Sequence, residues 1–107
     1  MELSQLTQRA VQIRKMFAEF EKKNVGKEWG REQIMEGLVT DVGDLARVVM
    51  AKEGYRKMEN VDYVLSAHIS DCLWSILILA DKYGLDLEKT FLIAMDEIEE
   101  RLKNKLT

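Results

Sequence analysis

Apolar residues recur along the chain at alternating spacings of three and four residues, the period of one face of an α-helix. Four such stripes predict four helices, and their first apolar residues are Leu3, Ile34, Val61 and Leu87. A glycine follows each of the first three stripes, and the charged stretch 55–60 predicts a loop before the third. Asn60 and Asp86 are the expected N-caps of the third and fourth helices. Four helices with short connections favour an all-α fold, an antiparallel four-helix bundle in one domain spanning residues 1–107.

The third helix is more apolar than a bundle requires. Residues 72–80 are apolar nearly all round, whereas a bundle helix needs only one apolar stripe. We therefore expect burial on more than one face, with part of the surface packing against another chain. This predicts a homo-oligomer, a homodimer or a homotetramer.

Composition and charge narrow the function classes. The 107 residues carry a net charge of −3, which argues against a nucleic-acid partner. The longest apolar stretch, Ile69 to Ala80, contains Asp71 and is too short to span a membrane, and no signal peptide is visible. Cys72 has no cysteine partner, which favours a reducing compartment and a role as a small core residue. We expect a cytoplasmic protein without a membrane partner.

Two pairs of polar residues interrupt the apolar stripes. Asp41 and Asp44 on the second helix are three residues apart, as are His68 and Asp71 on the third. Residues at this spacing lie on the same side of a helix. Carboxylates buried without partners are costly, so a cation between the helices would stabilise them. Three carboxylates and one imidazole are a reasonable ligand set for Mg²⁺ or Mn²⁺ with added waters.

Each pair also has a purely structural interpretation. Asp41 and Asp44 could instead be solvated charges beside Arg47. Asp71 could form an ion pair with Arg47 or a hydrogen bond with His68. A single histidine on an apolar face is more often a satisfied core residue than a metal ligand.

Three segments together resemble a known family. Residues 38–46, LVTDVGDLA, are similar to the L-x-E-E-x-G-E-L segment of MazG-like nucleotide pyrophosphohydrolases. His68-Ile69-Ser70-Asp71 occupies the place of that family's E-x-x-D motif, and residues 79–88 resemble its L-A-x-x-x-G-I-D-L-E tail. The resemblance covers roughly residues 27–102 and depends on the order and spacing of all three segments.

The resemblance implies an all-α oligomer that hydrolyses nucleoside triphosphates to monophosphate and pyrophosphate with Mg²⁺. The family's metal ligands fall on Asp41, Asp44, His68 and Asp71. Thr40 stands where the family has its first glutamate, and both aspartates are one methylene shorter than the glutamates they replace. His68 in place of glutamate suits Mn²⁺ or another transition metal better than Mg²⁺.

Catalytic roles follow for the second motif. His68 and Asp71 are the expected catalytic residues, with His68 acting as the general base if it does not bind the metal. The expected contacts with the nucleotide substrate are Trp29, Lys52, Arg56, Lys57 and Ser75. The alternative function, motivated by the departures from the motif, is a non-catalytic helical oligomer that binds nucleotide, metal or a protein partner. A purely structural bundle is the remaining possibility.

Overall fold

A computed structural model describes residues 2–106, and over that span the chain is all-helical, with four helices and no strand. The helices are α1 (Leu3–Asn24), α2 (Arg31–Lys52), α3 (Val61–Lys82) and α4 (Leu87–Leu106). The all-α fold and the number of helices predicted from the apolar periodicity are therefore confirmed.

The predicted helix ends are also observed. The glycine after each of the first three helices has a positive φ, between 66° and 90°, which stops the helix there. The backbone N–H of Lys89 donates to the Asp86 carboxylate at 3.2 Å, so Asp86 caps α4 as expected. Asn60 precedes α3 in the expected position, but its φ is 53° and its side chain makes no capping hydrogen bond.

Helices α2 and α3 form an antiparallel hairpin that positions the candidate site. Ile34 and Ile78 line one cavity, and Asp41 and Asp71 line the next. Residue numbers therefore increase along α2 in the direction in which they decrease along α3, so the two helices are antiparallel. An ion pair of 2.6 Å between Lys52 and Asp62 joins the helices at the loop end.

Helix α1 lies against α3 and supplies the rest of a small core. Ala10, Ile34, Leu77 and Ile78 are buried together. The indole N–H of Trp74 donates to the Ala10 carbonyl at 3.1 Å, which joins α3 to α1 through a half-buried side chain.

Helix α4 does not pack along the other three. None of its residues is buried, and apolar side chains on its stripe are exposed, namely Phe91, Met95, Ile98 and Leu102. Only Leu87, at its start, packs against the core cluster. The closed antiparallel four-helix bundle is thus not completed within one chain, because no other helix lies alongside the apolar stripe of α4.

Helix α3 is less covered within the chain than its composition suggested. Ile69, Leu73 and Ile76 are 41–52% exposed, although Cys72 and Ile78 are buried. Among the described residues, α3 is the one helix long and apolar enough to cross a membrane by length and composition. A core helix of a soluble protein passes the same test.

Candidate functional site

The candidate site is a cavity of about 370 Å³ on one side of the α2–α3 hairpin. Its lining residues are Trp29, Gly37, Thr40, Asp41, Asp71, Trp74 and Ser75. Four predicted site residues, from two helices and the α1–α2 loop, therefore share one cavity: Trp29, Asp41, Asp71 and Ser75. We call this side of the hairpin the cavity side.

Asp41 and Asp71 face each other because of the antiparallel register. Burial raises the pKa of Asp41, and the negative charges of Asp71 and Asp44 raise it further, while His68 opposes them. Burial and the same two carboxylates, Asp41 and Asp71, raise the pKa of the Cys72 thiol. The cavity is therefore a region of gathered negative charge, where a cation would be stabilised.

The other two predicted ligands are engaged locally. Asp44 accepts a hydrogen bond from the guanidinium of Arg47, one turn along the same helix. His68 Nδ1 lies 2.9 Å from the Val64 carbonyl oxygen, which can only accept. Nδ1 therefore carries the proton in the neutral ring, and Nε2 keeps a lone pair available to a metal or a proton.

The four residues are not arranged as a complete metal-binding group. Within residues 2–106, no cluster of three or more His, Cys, Asp or Glu side chains could hold a metal ion. Asp44 has the structural role that the sequence left open, an ion pair with Arg47. Asp41 and Asp71 are brought to the same cavity by the antiparallel arrangement of α2 and α3.

The expectation that Asp71 is buried was wrong. No charged or polar residue in the described chain is buried, and Asp71 is exposed while Asp41 is half-buried. Its neighbour Cys72 is turned about 100° around α3 and is buried, whereas Asp71 lies on the side that borders the cavity. Asp71 thus meets solvent at the mouth of the cavity.

The basic residues predicted to bind phosphate are not at this cavity. Lys52 is paired with Asp62 at the loop end of the hairpin. It follows Asp41 by eleven residues, about 16 Å along the helix axis at 1.5 Å per residue. Arg56 and Lys57 lie in the exposed loop beyond it.

Gly37 gives Trp29 its position, a role that the sequence reasoning missed. A β-carbon at residue 37 would lie 2.8 Å from the Trp29 ring, so only glycine lets the indole lie this close to α2. A lone glycine inside a predicted helix was the available signal, because glycine there costs helix stability unless something needs the space.

Two residues of α1 also hold Trp29 in place. No pattern in the sequence predicted their contact with it. The Arg14 guanidinium stacks over the indole, 5.6 Å from the ring centroid. The Glu21 carboxylate pairs with Arg14 and accepts the backbone N–H of Trp29 at 2.8 Å. Both side chains are only 12% exposed, so α1 fixes one wall of the cavity.

Trp74 on α3 provides a second aromatic side chain to the cavity. Its ring lies 5.5 Å from that of Phe17 on α1, and its N–H bond to Ala10 holds it in place. The chain has two tryptophans, and both line this cavity beside Asp41 and Asp71. Such a site can accept a planar group against an indole and a hydrated cation against the carboxylates.

Comparisons with family models, with curated proteins and with solved structures find no match to this chain.

Proposed function

We propose that the protein is a metal-dependent nucleoside triphosphate pyrophosphohydrolase of the MazG-like type, which converts an NTP or dNTP to monophosphate and pyrophosphate. The observation that carries the proposal is the meeting of Asp41 and Asp71 across a cavity lined by Trp29 and Trp74. Carboxylates beside aromatic rings match a ligand that has phosphates at one end and a planar base at the other.

The residues present fit a divalent cation that keeps part of its water shell. Mg²⁺ is commonly held by one or two carboxylates together with substrate phosphates. Asp41 and Asp71 supply two carboxylates, and His68 Nε2 and Asp44 lie one turn further along the hairpin. A bound cation would offset phosphate charge and activate a water molecule. Mg²⁺ is the preferred ion, and His68 makes Mn²⁺ or another transition metal the alternative.

Each residue then has a role in binding or proton transfer. Trp29 and Trp74 bind the base by stacking, and the Ser75 hydroxyl is placed to hydrogen-bond the nucleotide. His68, with its proton on Nδ1, can accept a proton at Nε2 and is the proposed general base. Lys52, Arg56 and Lys57 have no part in this arrangement within one chain.

The assembly and location form part of the same proposal. A homodimer or homotetramer would cover the apolar surface that one chain leaves exposed. A cytoplasmic location would supply nucleotides and keep Cys72 reduced.

Pyrophosphate release from a panel of natural and modified NTPs and dNTPs, with Mg²⁺, Mn²⁺ or Co²⁺, tests the proposal. We expect metal-dependent release, lowered at least about a hundredfold in Asp71→Asn, the scale of losing one charge-stabilising group. Asp62→Asn is the matched control, an exposed aspartate on the same helix away from the cavity, and it should keep full activity. Release that is unchanged in Asp71→Asn would remove this site from the proposal.

A non-catalytic nucleotide-binding protein is the second candidate. It is favoured by the engagement of Asp44 with Arg47 and the lack of a three-ligand group among residues 2–106. Calorimetry showing nucleotide binding without turnover with any of the three metals would support this candidate, and turnover would exclude it.

A further inference from the structure

The ion pair between Arg14 and Glu21 on α1 is the most covered one within residues 2–106. Both of its side chains are 12% exposed, whereas each of the other four ion pairs has a side chain that is at least 60% exposed. Taking two charges out of water is costly, and a covered pair often adds no stability over apolar side chains of similar size. Stability alone therefore does not explain a covered pair beside the candidate site.

Glu21 fixes the main chain of Trp29 and the position of Arg14 at the same time. Its Oε1 accepts the backbone N–H of Trp29 at 2.8 Å and also accepts a hydrogen bond from the Arg14 guanidinium. Arg14 precedes Glu21 by seven residues, about 10.5 Å along the helix axis, so the two side chains extend towards each other across two turns of α1. The guanidinium lies over the Trp29 ring, 5.6 Å from its centroid. One carboxylate thus restrains both the main chain and the indole of Trp29.

The rest of the α1–α2 loop offers little that could hold the indole. Trp29 is 43% exposed, so much of its surface remains in contact with solvent. Glu28 pairs with Lys22 at 3.2 Å, but both side chains are largely exposed, and such a pair restrains a loop only weakly. The contacts from Arg14 and Glu21 are therefore the main restraint on this ring.

Arg14 lies behind Trp29 and outside the cavity of the candidate site. It lines a neighbouring cavity of about 30 Å³ together with both tryptophans, and it does not line the cavity of about 370 Å³. A space of 30 Å³ holds at most a few water molecules, which is too little for a base or a phosphate. The charge of the guanidinium is also offset by Glu21. Arg14 thus contacts the indole and not the space that a ligand would fill.

An indole that is already fixed binds a base more tightly than a mobile one. Stacking of one base on an aromatic side chain increases affinity about fivefold to 150-fold. Part of that gain is lost when the side chain must be immobilised as the ligand binds. A ring that is held before the ligand arrives avoids this loss.

We propose that Arg14 and Glu21 are positioning residues for the nucleobase: they hold Trp29 in place and so determine how strongly the site prefers a nucleotide to a base-free polyphosphate. The inference rests on the proposed binding of a nucleotide in this cavity, but not on its hydrolysis. Neither residue contacts the ligand, because each acts through the indole. Their loss therefore weakens binding of the base and leaves binding of metal and phosphate unchanged.

Titrations of the full chain with a non-hydrolysable triphosphate analogue and with inorganic tripolyphosphate, both in the presence of Mn²⁺, test the proposal. Arg14→Met and Glu21→Gln should weaken binding of the analogue about fivefold or more, and binding of tripolyphosphate should change less than about twofold. Lys22→Met is the matched control, because it removes a positive charge and an exposed ion pair from the same end of α1. It should bind both ligands as the wild type does.

A double-mutant cycle tests whether Arg14 acts through Trp29. Trp29→Ala alone should weaken binding of the analogue at least as much as Arg14→Met does. Adding Arg14→Met to Trp29→Ala should then change the affinity less than about twofold, because the ring on which Arg14 acts is gone. Equal losses from Arg14→Met in the two backgrounds would overturn the proposal. Equal losses for the analogue and for tripolyphosphate would also overturn it, since they would make Arg14 a phosphate contact or a general stabiliser of the fold.

Circular dichroism identifies a variant that unfolds, which is a risk because Arg14→Met leaves Glu21 covered and unpaired. The double variant Arg14→Met/Glu21→Gln removes both charges and then replaces it. If the wild type hydrolyses nucleotides, KM should rise in these variants while kcat stays the same, the pattern of lost binding energy.

The failure of this inference can be distinguished from the failure of the proposed hydrolysis. A wild type that binds the analogue but hydrolyses no triphosphate would contradict the proposed hydrolysis alone. Affinity for the analogue that is unchanged in Arg14→Met and Glu21→Gln would overturn the positioning role alone. A wild type that does not bind the analogue would overturn both.

Discussion

The two long sides of the α2–α3 hairpin are built from the same helices and differ in what covers them. On the cavity side, α1 and the loop carrying Trp29 form walls beside the hairpin, and Asp41 and Asp71 line the cavity, with Asp71 exposed at its mouth. On the opposite side, which we call the apolar face, Val42 and Val49 of α2 and Ile69 and Ile76 of α3 are exposed to solvent. The helix most apolar in sequence thus separates two surfaces, one partly covered by its own chain and one not.

The difference shows that an apolar segment is not necessarily buried within its own chain. Residues 72–80 are apolar nearly all round, yet α1 covers only one side of them. The polar residues lie on the side where α1 and Trp29 form walls, which suits ligand binding. The apolar residues lie on the side without walls, which suits a second protein surface.

Variants on the two sides of the hairpin should affect different properties, nucleotide hydrolysis on the cavity side and association on the apolar face. Asp71→Asn should lower pyrophosphate release at least about a hundredfold with no change in molecular mass. Ile69→Asp, two residues away, should dissociate the proposed homodimer or homotetramer while the isolated chain still binds nucleotide. Parallel light scattering and nucleotide titrations measure both properties. Variants that change mass and binding together would show that the two sides are one surface.

Asp41→Asn should abolish metal binding and make the metal-free protein more stable. Because the pKa of Asp41 is raised in the folded state, its ionised form opposes folding above that pKa. In the metal-free wild type, stability should therefore increase as pH falls from neutrality through the folded pKa of Asp41 towards its ordinary value. Asp41→Asn should remove this contribution and melt higher at pH 7.

With a divalent metal present, the wild type should gain stability relative to Asp41→Asn. Mg²⁺ or Mn²⁺ should raise the melting temperature of the wild type and leave Asp41→Asn unmoved. Thermal melts at pH 5 and pH 7, with and without metal, provide the comparison. Equal metal stabilisation of both proteins would contradict a cation held by Asp41.

The two mid-helix glycines of α2 form a matched pair for testing the Trp29 wall. Gly37→Ala should displace the indole, because the new β-carbon would lie 2.8 Å from it, and weaken nucleotide binding about fivefold or more. At Gly43 a β-carbon meets nothing within 4 Å. Gly43→Ala should raise stability by about 0.5–1 kcal/mol and leave binding unchanged. Equal binding by the two variants would exclude a role for the Trp29 position.

The smallest expected effect concerns the ion pair that engages Asp44. Arg47→Gln frees the Asp44 carboxylate, which should then strengthen metal binding about two- to fivefold, the scale of a surface ion pair. Calorimetric titration with Mn²⁺ measures the change. If Asp44 is only a solvated charge, the affinity of Arg47→Gln will equal that of the wild type.

Local rules were sufficient for the helices and for half of the site. Glycines with positive φ end the first three helices, and Asp86 caps the fourth, as the sequence predicted. An antiparallel register follows from a short loop, so Asp41 and Asp71 were expected on facing helices. Periodicity alone could assign these residues to a side of a helix.

The residues that cover each side of the hairpin could not be predicted, because they depend on contacts between separate elements that leave no periodic pattern in the sequence. Trp29 lies at the cavity because Gly37 leaves space and α1 contributes Arg14 and Glu21, contacts between separate elements. Asp71 was expected to be buried because its neighbours are apolar, but it lies exposed at the cavity while Cys72 next to it is buried. Lys52 was expected to bind phosphate at the site, yet eleven residues of helix separate it from Asp41 by about 16 Å along the axis of α2.

In the proposed binding mode, Asp41 and Asp71 hold a divalent cation that binds the phosphates of a nucleotide, and the base stacks on Trp29 and Trp74. Because both tryptophans of the chain line the cavity, intrinsic fluorescence measures this binding directly. Titration with non-hydrolysable triphosphate analogues should give saturable quenching that requires Mg²⁺ or Mn²⁺ and is lost in Asp71→Asn. Quenching that is absent, or that is the same without metal and in Asp71→Asn, would contradict this binding mode.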